Sequence, residues 1–287
     1  MSFYCTAPDM QHLEFIDRGH FQYEYHRKWA KNRLAKYMDF CWETDFDDLF
    51  SKNPQSFSDV LFPNIGYTYI INLGTPFIMQ LQKTSFEVKN DGFVPRHHYI
   101  TCHHSVGNRL FGIKFKVCPI IFEKHIDFSE YRENIFPLAY LIDRSIVNKI
   151  KHASSFDDRV TIVFEHYENL INKYEGLLKD VSIVTEIVAH CKHQNDFNKS
   201  IQELSAAYKI SNRSLQRYFR ATTSFSSKQA LQTMRIRHAV TRLTSSPSAF
   251  NFTDFGYYDY SHFLKHLQQF VGRKYFKVFQ QLLTNHG

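Results

Sequence analysis

Residues 201–221 read IQELSAAYKISNRSLQRYFRA, and this stretch decides how the C-terminal part of the chain folds. Two short helices are predicted, with Lys199-Ser200 as the polar start of the first and Ser211 as the N-cap of the second. Leu204, Ser205, Ile210, Leu215 and Phe219 fall on the inside, and Ser205 is small enough to let the helices approach. Asn212, Arg213, Gln216, Arg217 and Arg220 are left outside. A helix that presents polar and basic residues after a tight turn is the geometry for entering the DNA major groove. Arg matches guanine O6/N7 and Gln matches adenine N6/N7, each pair worth about 1–3 kcal/mol of discrimination. The plainer alternative is a solvated helix face, the usual meaning of such residues.

The layout recurs downstream. Ser226 can cap a connecting helix over about 227–244, whose inner face is Ile236, Ala239, Val240 and Leu243. Ser246-Pro247 then starts a second unit over about 247–270, since Pro loses nothing at a first helical position. Gly256 serves as its turn, and Phe263, Leu267 and Phe270 face inward. Tyr260, Ser261, Leu264 and Lys265 are then the candidates to face DNA. A further helix over 181–191 precedes both units.

With these motifs in order over about 100 residues, the C-terminal part resembles the AraC/XylS family of bacterial transcription regulators. IQELSAAYKISNRSLQRYFR follows that family's first motif, SSKQALQTMRIRHAVTRL keeps its Arg235, Ala239 and Leu243, and GYYDYSHFLKHLQQFVG is similar to its second signature, closing on Gly272. The resemblance implies two recognition helices. Arg213, Gln216 and Arg217 would read one major-groove segment, and Tyr260, Ser261, Leu264 and Lys265 the next. It also implies promoter DNA as partner, activation through RNA polymerase, and a β-rich, often cupin-like N-terminal domain that binds a small-molecule effector or mediates a homodimer. Four departures stand out. Lys209 and Ser224 occupy positions where the family often has Gly, a left-handed backbone costing other residues on the order of 1 kcal/mol. Asn251-Phe252 replaces an Ile-Ala pair, which predicts a shorter or distorted helix before Gly256. Tyr275 stands near a usual Pro.

Charge divides the chain in the same place. Residues 180–287 hold 14 Lys/Arg against 6 Asp/Glu, whereas residues 1–179 hold 21 against 22. A basic domain attracts polyanions through counterion release. The expected architecture is therefore α+β: a β-rich, cupin-like sensor-type domain with flanking helices over 1–179, then an all-α domain with two helix-turn-helix units over 180–287. No apolar run approaches the roughly 18 residues of a membrane span, and the start lacks a signal-peptide pattern, so the expected location is the cytoplasm and no membrane partner is expected. Cys5, Cys41, Cys102, Cys118 and Cys191 show no C-x-x-C spacing, so no disulfide framework or zinc ribbon is indicated.

In the first domain, strands are predicted at 67–73, 77–81, 85–89, 98–102 and 109–117 from β-branched and aromatic runs broken by Gly74-Thr75-Pro76. Leu34, Tyr37, Met38 and Trp42 recur at helical spacing and predict a helix over 22–42. A second helix over 156–175 carries one apolar stripe, Val160, Val163, Phe164, Tyr167, Leu170, Ile171 and Tyr174, which either covers the sheet or forms a dimer seam. The family resemblance extends here, less specifically, to LAKYMDFCW, LFPNIGYTYIINLG and NRLFGIKF. Tyr67, Tyr69, Phe77 and Phe115 are either pocket walls or core.

The run Arg96-His97-His98-Tyr99-Ile100-Thr101-Cys102-His103-His104 puts His98, Cys102 and His104 on one strand face, a candidate for a borderline metal with no fourth ligand at convincing spacing. That would make the first domain a metal-dependent enzyme or metal sensor, merely localised by the basic domain. The plainer alternative is a surface strand in a chain with 16 His. Ser261 and His262 are adjacent, so on a helix they diverge by about 100° and make a poor nucleophile–base pair. With no P-loop, G-x-G-x-x-G, H-E-x-x-H or G-x-S-x-G, the expectation is a non-enzyme without cofactor.

Overall fold

Strands rich in Phe, Ile, Val and Thr occupy the first half of the chain, and amphipathic helices the second. The computed structural model describes residues 25–52, 57–94, 96–117, 134–175, 179–194, 196–197 and 199–284. The strands are β1 (Tyr25–Trp29), β2 (Met38–Asp45), β3 (Phe57–Leu61), β4 (Thr68–Asn72), β5 (Phe77–Leu81), β6 (Thr84–Val88), β7 (Gly92–Val94), β8 (Ile100–His104), β9 (Arg109–Phe115) and β10 (Phe136–Pro137). They form two antiparallel sheets, ordered β1-β2-β9-β4-β7-β10 and β3-β8-β5-β6. The strands predicted between 67 and 117 all appear, within a few residues of their expected ends.

The helix expected over 22–42 is not one. Residues 22–24 lie outside the described residues, and the rest is β1, a 3-10 turn at Leu34–Lys36, and β2. β1 and β2 pair from Tyr25↔Thr44 to Trp29↔Phe40, and Tyr25 stacks on Trp42 at 5.2 Å. Burial along β2 recurs every three residues, at Met38, Cys41 and Thr44, because the register shifts between Met38 and Phe40 and both faces of the strand are covered. That spacing imitates a helix in the sequence, and pairing with β9 overrides it.

Along β9 the pleat sorts side chains cleanly. Phe111, Ile113 and Phe115 enter a core shared with the helices, while Leu110 and Lys114 face the space between the sheets. Gly112 is required there: a Cβ would lie 2.0 Å from the Trp42 ring.

The helices are α1 (Asp47–Lys52), α2 (Arg144–His152), α3 (Phe156–Tyr174), α4 (Lys179–Gln194), α5 (Ile201–Ala207), α6 (Asn212–Thr223), α7 (Ser227–Ser245) and α8 (Tyr260–Thr284). α3 covers the first sheet: Val160, Val163, Tyr167 and Ile171 are buried, and Tyr167 meets Phe115 edge-on at 5.1 Å. Ion pairs Lys28–Asp157 and Arg159–Glu43 tie it to β1 and β2. Four residues of its apolar stripe are therefore spent on the sheet, and Phe164, Leu170 and Tyr174 stay half-buried beside them. No helix among the described residues is long and apolar enough to cross a membrane.

The β-rich part and the helical part share packing. Phe62, between β3 and β4, sits among Phe270, Tyr275 and Phe279 at ring distances of 5.5–6.0 Å. α8 is broken at Gly272, whose φ of 78° lets the chain turn and whose missing Cβ makes room for the Tyr99 ring, 2.6 Å from where a Cβ would stand.

Candidate nucleic-acid interface and interior cavity

The first unit forms as its residues dictate. Ser200 caps α5 with a full capping box: its Oγ accepts from Glu203 N, and the Glu203 carboxylate accepts from Ser200 N. Ser211 caps α6 by accepting from Ser214 N. Leu204, Ser205, Leu215 and Phe219 are buried as expected, and Ile210 is half-buried. Lys209 turns the chain between the helices at φ 52°, the left-handed conformation expected for a glycine position.

The five outward candidates divide into two kinds. Asn212 and Gln216 are engaged within the fold: Asn212 Oδ1 accepts from Ser205 Oγ at 2.5 Å, and Gln216 Oε1 accepts from Ser227 N at 3.3 Å. They fix the angle between α5 and α6 and the approach of α7. Arg213, Arg217 and Arg220 are exposed and recur at i, i+4, i+7 along α6. Among the described residues none of the three is held in an ion pair. Ser200, Gln202, Asn212, Arg213 and Gln216 border an open groove where the starts of α5 and α6 converge.

The second unit keeps its turn but changes its first helix. Two 3-10 turns, Pro247–Ala249 and Phe252–Phe255, stand where a helix was expected to start at Pro247, in line with the distortion predicted from Asn251-Phe252. A ring cluster holds these turns: Phe250 packs on both Phe255 and Phe263, and Phe252 on Phe263, at 5.5–6.0 Å. Gly256 turns at φ 73° and Asp259 caps α8, its carboxylate accepting from Ser261 N and His262 N. Phe263, Leu267 and Phe270 are buried. Tyr260, Ser261 and Lys265 are exposed on the first turns of α8, and Leu264 is half-buried against the core, so it contributes packing more than surface. His262 is exposed, and His266 behind it bonds the Tyr257 hydroxyl at 2.6 Å.

A second feature escaped the sequence reading. Between the sheets, and roofed by α4 and α7, lies a cavity of about 1070 Å³. Its walls are largely apolar, with Trp42, Phe46, Ile70, Phe77, Met79 and Leu110 from the sheets and Val188 and Met234 from the helices. Of the four aromatics considered as pocket walls, only Phe77 lines it; Tyr67, Tyr69 and Phe115 are core. Into this apolar space project Lys114 and Arg96, each 5% exposed, with Arg237 entering from α7. Lys114 Nζ has no hydrogen-bond partner among the described residues. Burial pushes its pKa down to about 7, and the Arg96 charge pushes the same way. Burial also lowers Arg96 and Arg237, each to about 10. Arg237 Nη1 donates to the Pro63 carbonyl at 3.2 Å, so it joins the roof to the sheets. The legible signal was the sequence Leu110-Phe111-Gly112-Ile113-Lys114-Phe115: one lysine inside an otherwise apolar strand.

The histidine run does not assemble as predicted. His98 is exposed and outside the strand, while Cys102 and His104 are buried on β8. Their neighbour is Asp59 of β3, directly opposite Cys102 in the ladder.

No protein-family model matches the chain, and no curated protein is significantly similar to it. Among solved structures it is similar to ToxT from Vibrio cholerae, at 7% identity and a TM-score of 0.42, over 86% of this chain and 94% of that one. It is also similar to ToxT from Vibrio cholerae O395 bound to (E)-4-(8-methylnaphthalen-1-yl)but-3-enoic acid, at 9% identity and a TM-score of 0.42, over 89% and 99% of the two chains. A third is the AraC-like transcriptional activator CuxR, at 7% identity and a TM-score of 0.31, over 78% and 90%.

Proposed function

We propose that this chain is a sequence-specific, double-stranded DNA-binding transcription regulator with an interior site for a small, largely apolar anion. The observation that carries the first half is the exposed Arg213/Arg217/Arg220 row on α6, presented by a capped helix-turn-helix within the basic part of the chain. Arg213 and Arg217 would contact base edges and Arg220 a phosphate; Gln216 keeps its amide N–H groups for a base while its oxygen holds α7. Tyr260, Ser261 and Lys265 would form the second head, with Leu264 behind them. The domains would be residues 1–179 and 180–287, with promoter DNA and RNA polymerase as partners and activation as the outcome.

The second half rests on Lys114. A buried ammonium without an acceptor is costly, and an anionic group seated on it recovers that cost. The apolar walls suit a hydrocarbon body. ToxT has been solved bound to an unsaturated fatty acid and to an aryl butenoic acid, ligands of this same character. Because α4 and α7 roof the cavity, an occupant would touch both the sensor part and the part that carries the reading heads.

Selection from a random duplex library with the full chain tests the DNA reading. Enrichment of one site with two elements about 10 base pairs apart is expected. Salt-sensitive binding without any enriched sequence would overturn it.

A further inference from the structure

The geometry points to a three-ligand Zn(II) site formed by Asp59, Cys102 and His104 in the cavity wall, with the fourth position open to the cavity. The inference is independent of the DNA-binding reading and of Lys114.

Cross-strand pairing makes the constellation. Asp59 on β3 is the ladder partner of Cys102 on β8, and His104 follows two residues along, so all three side chains share one face. A carboxylate oxygen, the Cys102 Sγ and a His104 ring nitrogen all lie within 4.8 Å of one another. In a tetrahedral zinc site, bonds of about 2.0–2.3 Å place donors about 3–4 Å apart, so the cluster needs only a small contraction. The three residues are 2–9% exposed, and all three border the cavity.

The hydrogen bonds around His104 orient it as a ligand. Asn108 Nδ2 donates to the Thr75 carbonyl at 2.8 Å, which turns Asn108 Oδ1 toward His104 Nδ1 at 2.7 Å. The Nδ1 nitrogen therefore carries the hydrogen, and Nε2 points to Asp59 Oδ1 at 3.1 Å. A neutral His104 then aims a lone pair at a carboxylate oxygen, an arrangement that a cation between them resolves. Metal-bound histidines characteristically donate their other ring N–H to an oxygen in this way. Phe46 stacks on the ring at 3.6 Å and Phe77 at 5.3 Å, holding its plane. One thiolate, one imidazole and one carboxylate is a borderline donor set that suits Zn(II) better than Mg(II) or Ca(II). Three protein ligands with an open fourth position leave room for water or an anionic occupant of the cavity. The rival account is an imidazolium–carboxylate pair, His104 protonated on both nitrogens with Asp59 accepting.

Titration of the untagged full chain with Co(II), read by absorption, decides between them. The site predicts about one equivalent bound, with a thiolate-to-Co(II) charge-transfer band and tetrahedral d–d bands, both displaced by Zn(II). Cys102→Ser should abolish the charge-transfer band, and His98→Gln should leave it unchanged. Should Cys102→Ser fail to fold, changing Cys5, Cys41, Cys118 and Cys191 to Ala must retain the band. Absence of a charge-transfer band in the wild-type chain, or its survival in folded Cys102→Ser, overturns the proposal in favour of the ion pair.

Discussion

The Tyr67 hydroxyl lies 2.5 Å from Ser224 Oγ, which joins the first strand-rich sheet to the turn between α6 and α7. His97 Nε2 lies 2.6 Å from the same oxygen, and Ser224 Oγ donates to the Thr223 carbonyl. A hydroxyl donates once and accepts twice, so Tyr67 and His97 are the donors. Ser224 stands at φ 58°, where glycine is favoured, and its hydroxyl is held from two sides by the β-rich part. Serine at this left-handed position thus has a compensation in another part of the chain, one that ties the end of α6 to the β-rich part.

Removing that tie should show non-additivity. Tyr67→Phe is expected to cost about 0.5–1.5 kcal/mol by removing a buried hydrogen bond, and clearly less in a Ser224→Gly background. Denaturant unfolding of the four proteins measures the coupling. Additive losses would mean that Tyr67 and Ser224 do not support each other.

Arg217→Ala should weaken specific DNA binding by about 1–3 kcal/mol and relax the preference at one base position. Binding to the selected site and to single-base variants of it gives the comparison. If affinity falls equally on every sequence, Arg217 is a phosphate contact and base reading on α6 belongs to its neighbours.

Leu215 is 0% exposed at the centre of the first unit. Leu215→Asp should bury an unpaired carboxylate and destabilise the chain by more than about 3 kcal/mol. A melting temperature equal to that of the wild type would mean the inward face of α6 has been misassigned.

Lys114 makes stability depend on pH in a definite direction. Its folded-state pKa, about 7, lies below the ordinary lysine value, so the unfolded chain binds more protons between the two. The cost of the buried charge is fully present below about pH 7 and is relieved as pH rises toward the unfolded value. Lys114→Met should therefore stabilise the free protein at pH 6, on the order of 3 kcal/mol, and progressively less toward pH 10. It should also abolish binding of a medium-chain carboxylate, measured by calorimetry at pH 6. A variant that gains no stability, or that still binds the carboxylate, would show that Lys114 is not the anion anchor.

Capping residues and local periodicity made the C-terminal helices legible. Ser200, Ser211 and Ser226 each bond their own first turn, and Leu215/Phe219 or Ile236/Val240 mark a face within a few residues. Such interactions are local, so the sequence determined them by itself, together with the arginine row on α6. Tertiary structure decided everything that depends on strand register. Where the sequence predicted a helix over 22–42, pairing of β2 with β9 and of β1 with β2 gave strands, and aromatic packing around Phe263 accompanies the 3-10 turns before Gly256. The cavity, the convergence of Lys114, Arg96 and Arg237 on it and the opposition of Asp59 to Cys102 join residues tens of positions apart. Nothing in a one-dimensional pattern encodes which strand lies beside which; that is settled by the burial of two sheet faces at once.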